Sequence, residues 1–201
     1  MEIKKRIKTL NEPPFVKSLA DSTVKDLLFF MIGLLFLDII WKLCIKGDYS
    51  YDSTVTFLGC DVSVFFDYVS RKTAYSAYLF LQALGFDSNF FWPDHIKIVG
   101  SLSSGTIVVW ACTPIKQCFL WGTIMLFTRG PKWYHKLWYI PLGLLAIFYI
   151  NVGRIAVISI LTADKPQLFE FYHTYLFRYL FYFILFIMWY AWVLMRPKHK
   201  S

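Results

Sequence analysis

Long apolar runs alternate with short polar stretches along the chain, and four of the runs are candidate bilayer-crossing helices, three of full length and one short. A spanning helix needs about 20 mostly apolar residues to cross a hydrocarbon core about 30 Å thick. Residues 27–45 form the first run, interrupted only by Asp38 and Lys42, which at a spacing of four share one helix face and can pair. Residues 113–128 form a shorter one, broken by Lys116, Gln117 and Thr123. The third, 137–161, carries Asn151 and Arg154 in its last third, and the fourth, 169–195, carries Glu170, His173 and Arg178 near its start. Asp164-Lys165-Pro166 reads as the opening of that last helix, since Pro suits a first helical turn. Within the long stretch 46–111, Asp61–Phe86 has the pattern of an amphipathic or partly embedded helix with Arg71 and Lys72 on its polar side. The following HIKIVGSLSSGTIVVWAC holds two β-branched runs around Ser-Leu-Ser-Ser-Gly, a hairpin signal just before Cys112. The pattern predicts an all-α polytopic integral membrane protein, one domain over 1–201. It has four helices, or six if 61–111 crosses and returns, and a short extracytoplasmic hairpin ahead of the second run.

Composition agrees. Hydrophobic residues make up 57% of the 201 and charged residues 17%, against about 45–50% and 25% in globular domains. The net charge of +8 invites a nucleic-acid reading, but position argues otherwise. Twelve of the 21 basic residues sit in three blocks: before residue 27, in Arg129–Lys136, and after Met195. Basic residues flanking apolar runs mark the cytoplasmic side, and no nucleic-acid motif is present. With all three blocks inside, 1–26 and 196–201 are cytoplasmic, and 46–111 is mainly extracytoplasmic or partly embedded. The chain is then a multi-pass protein of the cytoplasmic (inner) membrane. The polar first 26 residues and the lack of a small-residue cleavage site argue against a cleavable signal peptide. Four cysteines are too sparse for a disulfide framework. No HExxH, CxxC or His cluster suggests a metal, and no cofactor is expected.

The chemistry resides in three residues at one depth. Counted from Leu137 on the inside, Arg154 is 17 residues up its helix, roughly 25 Å of a 30 Å core. His173 is about 10 Å from the start of the fourth helix, near the outer boundary, and Cys112 falls where the hairpin meets the second helix. Taken singly, each has an ordinary explanation: a cysteine is most often a small hydrophobe, and a His near a helix end often snorkels. Arg154 is harder to explain away, because a charge at depth is costly and faces the protein interior. Arg178 can pair with Glu170. A thiol becomes reactive beside a cation or at a helix N-terminus. His173 is placed to exchange its proton, and Arg154 to stabilise an oxyanion or grip a carboxylate.

Cys112, the run Asn151-Val-Gly-Arg154 and His173 in a final aromatic helix, in that order, resemble the exosortase/archaeosortase family over roughly Val99–Met195. The resemblance implies a membrane cysteine transpeptidase-like enzyme that cuts C-terminal sorting signals, made of a short motif, a membrane helix and a basic tail. It implies transfer of the exported protein to a lipid or glycan surface anchor. Carried over, Cys112 is the nucleophile, Arg154 the essential basic residue and His173 the third member, with Asn151 in support. Thr113-Pro114 departs from the small residue and Gly that follow the cysteine in many relatives. The alternative is a small transporter or assembly subunit in which Arg154 and His173 form a proton or ion path.

Overall fold

The computed structural model describes residues 14–47, 54–130 and 132–195. The apolar runs within them are helical: α1 (Pro14–Cys44), α2 (Ser63–Ala83), α3 (Ile115–Phe127), α4 (Trp133–Thr162) and α5 (Phe177–Leu194). Three segments are long and apolar enough to cross a membrane, namely Val24–Cys44, Trp133–Thr162 and Pro166–Leu194. α3 has 13 residues, a rise of about 20 Å against a core of about 30 Å. α2, the expected amphipathic helix, packs along α4. The N-terminal block before Pro14 and the basic tail after Met195 lie outside the described residues.

Several boundaries differ from the sequence reading. α1 starts at Pro14 rather than at residue 27, because a helix needs favourable dihedrals and not apolarity, and Pro is preorganised for its first turn. α4 starts at Trp133, four residues before the expected 137. The last apolar run is not one α-helix. It opens with a 3₁₀ turn (Pro166–Leu168), passes through a π-helical segment (Phe171–Leu176) and only then becomes α5.

The expected hairpin is β5 (His95–Ile98) against β6 (Thr106–Ile107), paired His95↔Ile107 and Ile96↔Thr106. β4 (Ser88–Phe91) joins the other side of β5 to complete an antiparallel sheet. Gly105 enters β6 at φ +106°, a region that only Gly occupies freely. A Cβ there would run into the His95 ring and lie 2.6 Å from the Ile96 carbonyl oxygen. A second small sheet, formed by β1 (Ile45–Lys46), β2 (Thr56–Phe57) and β3 (Cys60–Asp61), was not expected. Strands two residues long carry no periodicity to read.

Two apolar clusters hold the helices. One is aromatic-rich, with Phe30 of α1, Trp121 of α3, Ile147 of α4 and Trp189 of α5 at its centre. Gly143 lets α4 approach the Trp121 indole, which any Cβ would strike. Asp38 of α1 bonds Lys42 at 2.8 Å, as its spacing predicts, and also Lys116 of α3 at 2.5 Å, tying those helices together. The other cluster is built around alanines: Ala74, Ala77 and Leu81 of α2 meet Val152, Ile155 and Ala156 of α4, with Ile96 of β5, Val108 just after β6 and Cys112. Alanines let the backbones come close, and Cys112 is thereby held against α4.

Candidate active site

Cys112 ends a 3₁₀ turn, Trp110–Cys112, between β6 and α3. The helix-start position expected for it is corrected: Thr113 is extended (ψ 157°), Pro114 caps, and α3 begins at Ile115. The residue before a proline is pushed out of the α region, so Thr113-Pro114 breaks the turn from the helix. The thiol is buried, 9% exposed, and it faces His173, with Sγ 3.5 Å from Nε2.

His173 arrives from the π-helical segment, a rare conformation frequent at functional sites. Phe169, four residues earlier, stacks on the imidazole at 5.3 Å between ring centroids and 9° between planes. That contact fixes the ring plane. Arg154 sits on α4 eight residues from the end of the helix, about 12 Å in. It lines the same narrow cleft as Cys112, His173, Phe169 and Thr106–Val108. The cleft holds about 10 Å³, room for about one water. Among the described residues, buried Arg154 Nε has no hydrogen-bond partner and no carboxylate pairs with this side chain. On its other side Arg154 reaches an apolar groove of about 150 Å³ between α4 and α5, walled by Gly153, Val157, Leu180 and Ile184.

Asn151, three residues before Arg154 and so on nearly the same helix face, is fully buried. Its Nδ2 donates to the Cys112 carbonyl at 2.9 Å. The Asn-x-x-Arg spacing thus lets one helix hold the backbone of the cysteine and face its thiol cleft. The main-chain donors beside the thiol are already engaged: Cys112 N–H bonds the Val109 carbonyl at 2.8 Å and Thr113 N–H the Trp110 carbonyl at 3.1 Å, and Pro114 has none. Among the residues lining the cleft, Arg154 is the permanently charged donor.

Burial pushes the Cys112 thiol above its ordinary pKa, and the Arg154 charge only partly opposes this. The thiol is therefore protonated at neutral pH, and its nucleophilicity depends on proton transfer to the adjacent imidazole. The expected Arg178–Glu170 ion pair does not form among the described residues. Arg178 instead adds positive charge near His173 and Arg154. Cys118 packs in the aromatic-rich cluster on α3, away from the cleft.

All four residues singled out from the sequence, Cys112, Asn151, Arg154 and His173, meet at one place. Phe169 was missed, and the second strand of the expected hairpin was not foreseen as a wall of the cleft, which Thr106 and Ile107 line. Phe169 had a signal in its i, i+4 spacing from His173, and the strand in the hairpin pattern just ahead of Cys112. No family model matches the chain, and no curated protein or solved structure is similar to it.

Proposed function

We propose that the protein is an exosortase-like cysteine transpeptidase or protease that cleaves C-terminal sorting signals of exported proteins and transfers them to a surface anchor. The observation that carries the reading is the 3.5 Å approach of Cys112 Sγ to His173 Nε2 at a cleft lined by Arg154. Three distant segments supply these groups, and a thiol has no use in a proton or ion path. The thiol gives its proton to His173 Nε2 as Sγ attacks the scissile carbonyl, and Arg154 stabilises the oxyanion. Collapse breaks the C–N bond. The amine leaves with the proton from His173, and a thioester remains on Cys112. An acceptor amine or hydroxyl, from a lipid or glycan, or else water, then attacks the thioester and restores the thiol.

In this reading the membrane is the cytoplasmic (inner) one. The basic blocks face the cytoplasm, the short α3 completes four crossings (six if 61–111 also crosses), and the cleft opens near the extracytoplasmic face. The apolar groove between α4 and α5 suits the membrane helix of a sorting signal, whose basic tail stays inside.

The test compares Cys112→Ala with Cys118→Ala. Substrates are sought as proteins encoded nearby that end in a shared motif, a helix and a basic tail, and their size is read on a gel at matched enzyme levels. Cys112→Ala is expected to abolish processing and Cys118→Ala to leave most of it. A Cys112→Ala protein that still trims its substrate ends the cysteine-enzyme reading in favour of a non-enzymatic membrane component.

A further inference from the structure

β6 is the edge strand of its sheet, in the order β4-β5-β6, and it leads directly into the Cys112 turn. In an antiparallel ladder, bonded and non-bonded residue pairs alternate. Val108 N–H donates to the Asp94 carbonyl at 3.1 Å, so the neighbouring pair His95–Ile107 is of the non-bonded kind. The N–H and C=O of Ile107 therefore point away from β5. Among the described residues no hydrogen bond occupies either group, Ile107 is 44% exposed, and it lines the cleft together with Thr106, Val108, Cys112 and Arg154.

α4 fixes this edge relative to the thiol. Ser159 Oγ and Thr106 Oγ1 are hydrogen-bonded at 3.0 Å, while Asn151 of the same helix holds the Cys112 carbonyl at 2.9 Å. One helix thus positions an unpaired strand edge, a thiol and a guanidinium together. An unpaired edge is a template for another strand, and the thiol–imidazole pair acts on acyl carbonyls, which an extended polypeptide presents beside N–H groups at strand spacing.

We infer that the substrate segment at the scissile bond binds as an added strand, pairing its main chain with Ile107 and running along β6 toward the mouth of the cleft. This deepens the proposed function and rests on it. Ile107 is a positioning residue acting through its backbone, so its side chain sets little specificity. Three extended residues cover about 10 Å, the separation in chain between Ile107 and the start of the cysteine turn at Trp110.

The test uses the full chain in detergent and follows alkylation of Cys112 by mass spectrometry. The probe is acetyl-trialanyl chloromethyl ketone, whose carbon–chlorine bond breaks as the sulfur–carbon bond forms, releasing chloride and the thiol proton. It is compared with analogues in which each amide is N-methylated in turn, and with iodoacetamide, which needs no strand. Methylation of one particular amide is expected to slow labelling roughly fivefold or more, the worth of about one hydrogen bond. Ile107→Pro removes the outward N–H but no ladder bond, as proline is tolerated at such edge positions. It is expected to slow the unmethylated probe equally and leave the iodoacetamide rate unchanged, while Ile107→Val slows neither. Equal rates across the methylated series overturn the inference, as does failure of the peptidyl probe to label a Cys112 that iodoacetamide reaches. If Ile107→Pro alters the iodoacetamide rate, the methylation series on the unsubstituted protein decides alone. Failure of the enzyme reading looks different: it is continued processing by Cys112→Ala.

Discussion

Replacing Asn151 by Leu separates holding the cysteine from holding the fold. The side chain is fully buried and among the described residues makes one hydrogen bond, from Nδ2 to the Cys112 carbonyl at 2.9 Å, while its buried Oδ1 has no partner among them. Leu forfeits a bond worth about 1 kcal/mol and orphans a carbonyl at about 1–3 kcal/mol. It also removes the unsatisfied Oδ1, a gain of the same order. The net loss of stability is therefore about 1–2 kcal/mol, small enough for the protein to accumulate. Under the proposed function, catalysis is affected more strongly. The 3.5 Å thiol–imidazole approach depends on where the Cys112 backbone is held, and a shift of about 1 Å costs on the order of 100-fold in rate. Asn151→Leu is thus expected to process substrate about 100-fold more slowly at matched enzyme levels, with only a modest drop in thermal stability. Asn151→Asp, which keeps the shape but loses the donor, is expected to be no better. Processing by Asn151→Leu within about threefold of the unsubstituted rate would refute the positioning argument.

Arg154→Lys keeps a positive charge but loses the planar fork; it is expected to accumulate normally yet lose most processing, and near-normal processing would mean that a point charge suffices. Because burial raises the Cys112 pKa, its alkylation by iodoacetamide is expected to be slow at pH 7 and to climb only above the ordinary thiol value of about 8.5. Arg154→Met removes the opposing charge and moves that rise to still higher pH, so full reactivity at pH 7 in either protein contradicts the assignment. Gly105→Ala forces a side chain into φ +106° against the Ile96 carbonyl, a strain of about 1–3 kcal/mol. A lower unfolding temperature and weaker processing should follow, and an unchanged protein would show that β6 does not need this turn.

The long apolar runs are legible in the sequence because a bilayer demands about 20 successive apolar residues, and that demand is local. Segments matching the first, third and fourth runs fold as helices of sufficient length and apolarity. The grouping of Cys112, Asn151, Arg154 and His173 was legible too, because each lies near the same end of its element and depth along a helix is counted at 1.5 Å per residue. Rotation about the helix and the course of the backbone between elements were not. That Cys112 leaves the helix follows from Thr113-Pro114 together with packing of α2 on α4. That His173 presents Nε2 to the thiol depends on a π-helical turn and the Phe169 stack, features a 3.6-residue periodicity cannot anticipate. The strand beside the thiol is two residues long and exists through its pairing with β5 and its bond to Ser159, 53 residues away. Sequence alone singled out Cys112, Asn151, Arg154 and His173 and their places along the chain. Tertiary contacts decided the atoms that face each other, because a separation of 61 positions between thiol and imidazole places no local constraint on their meeting.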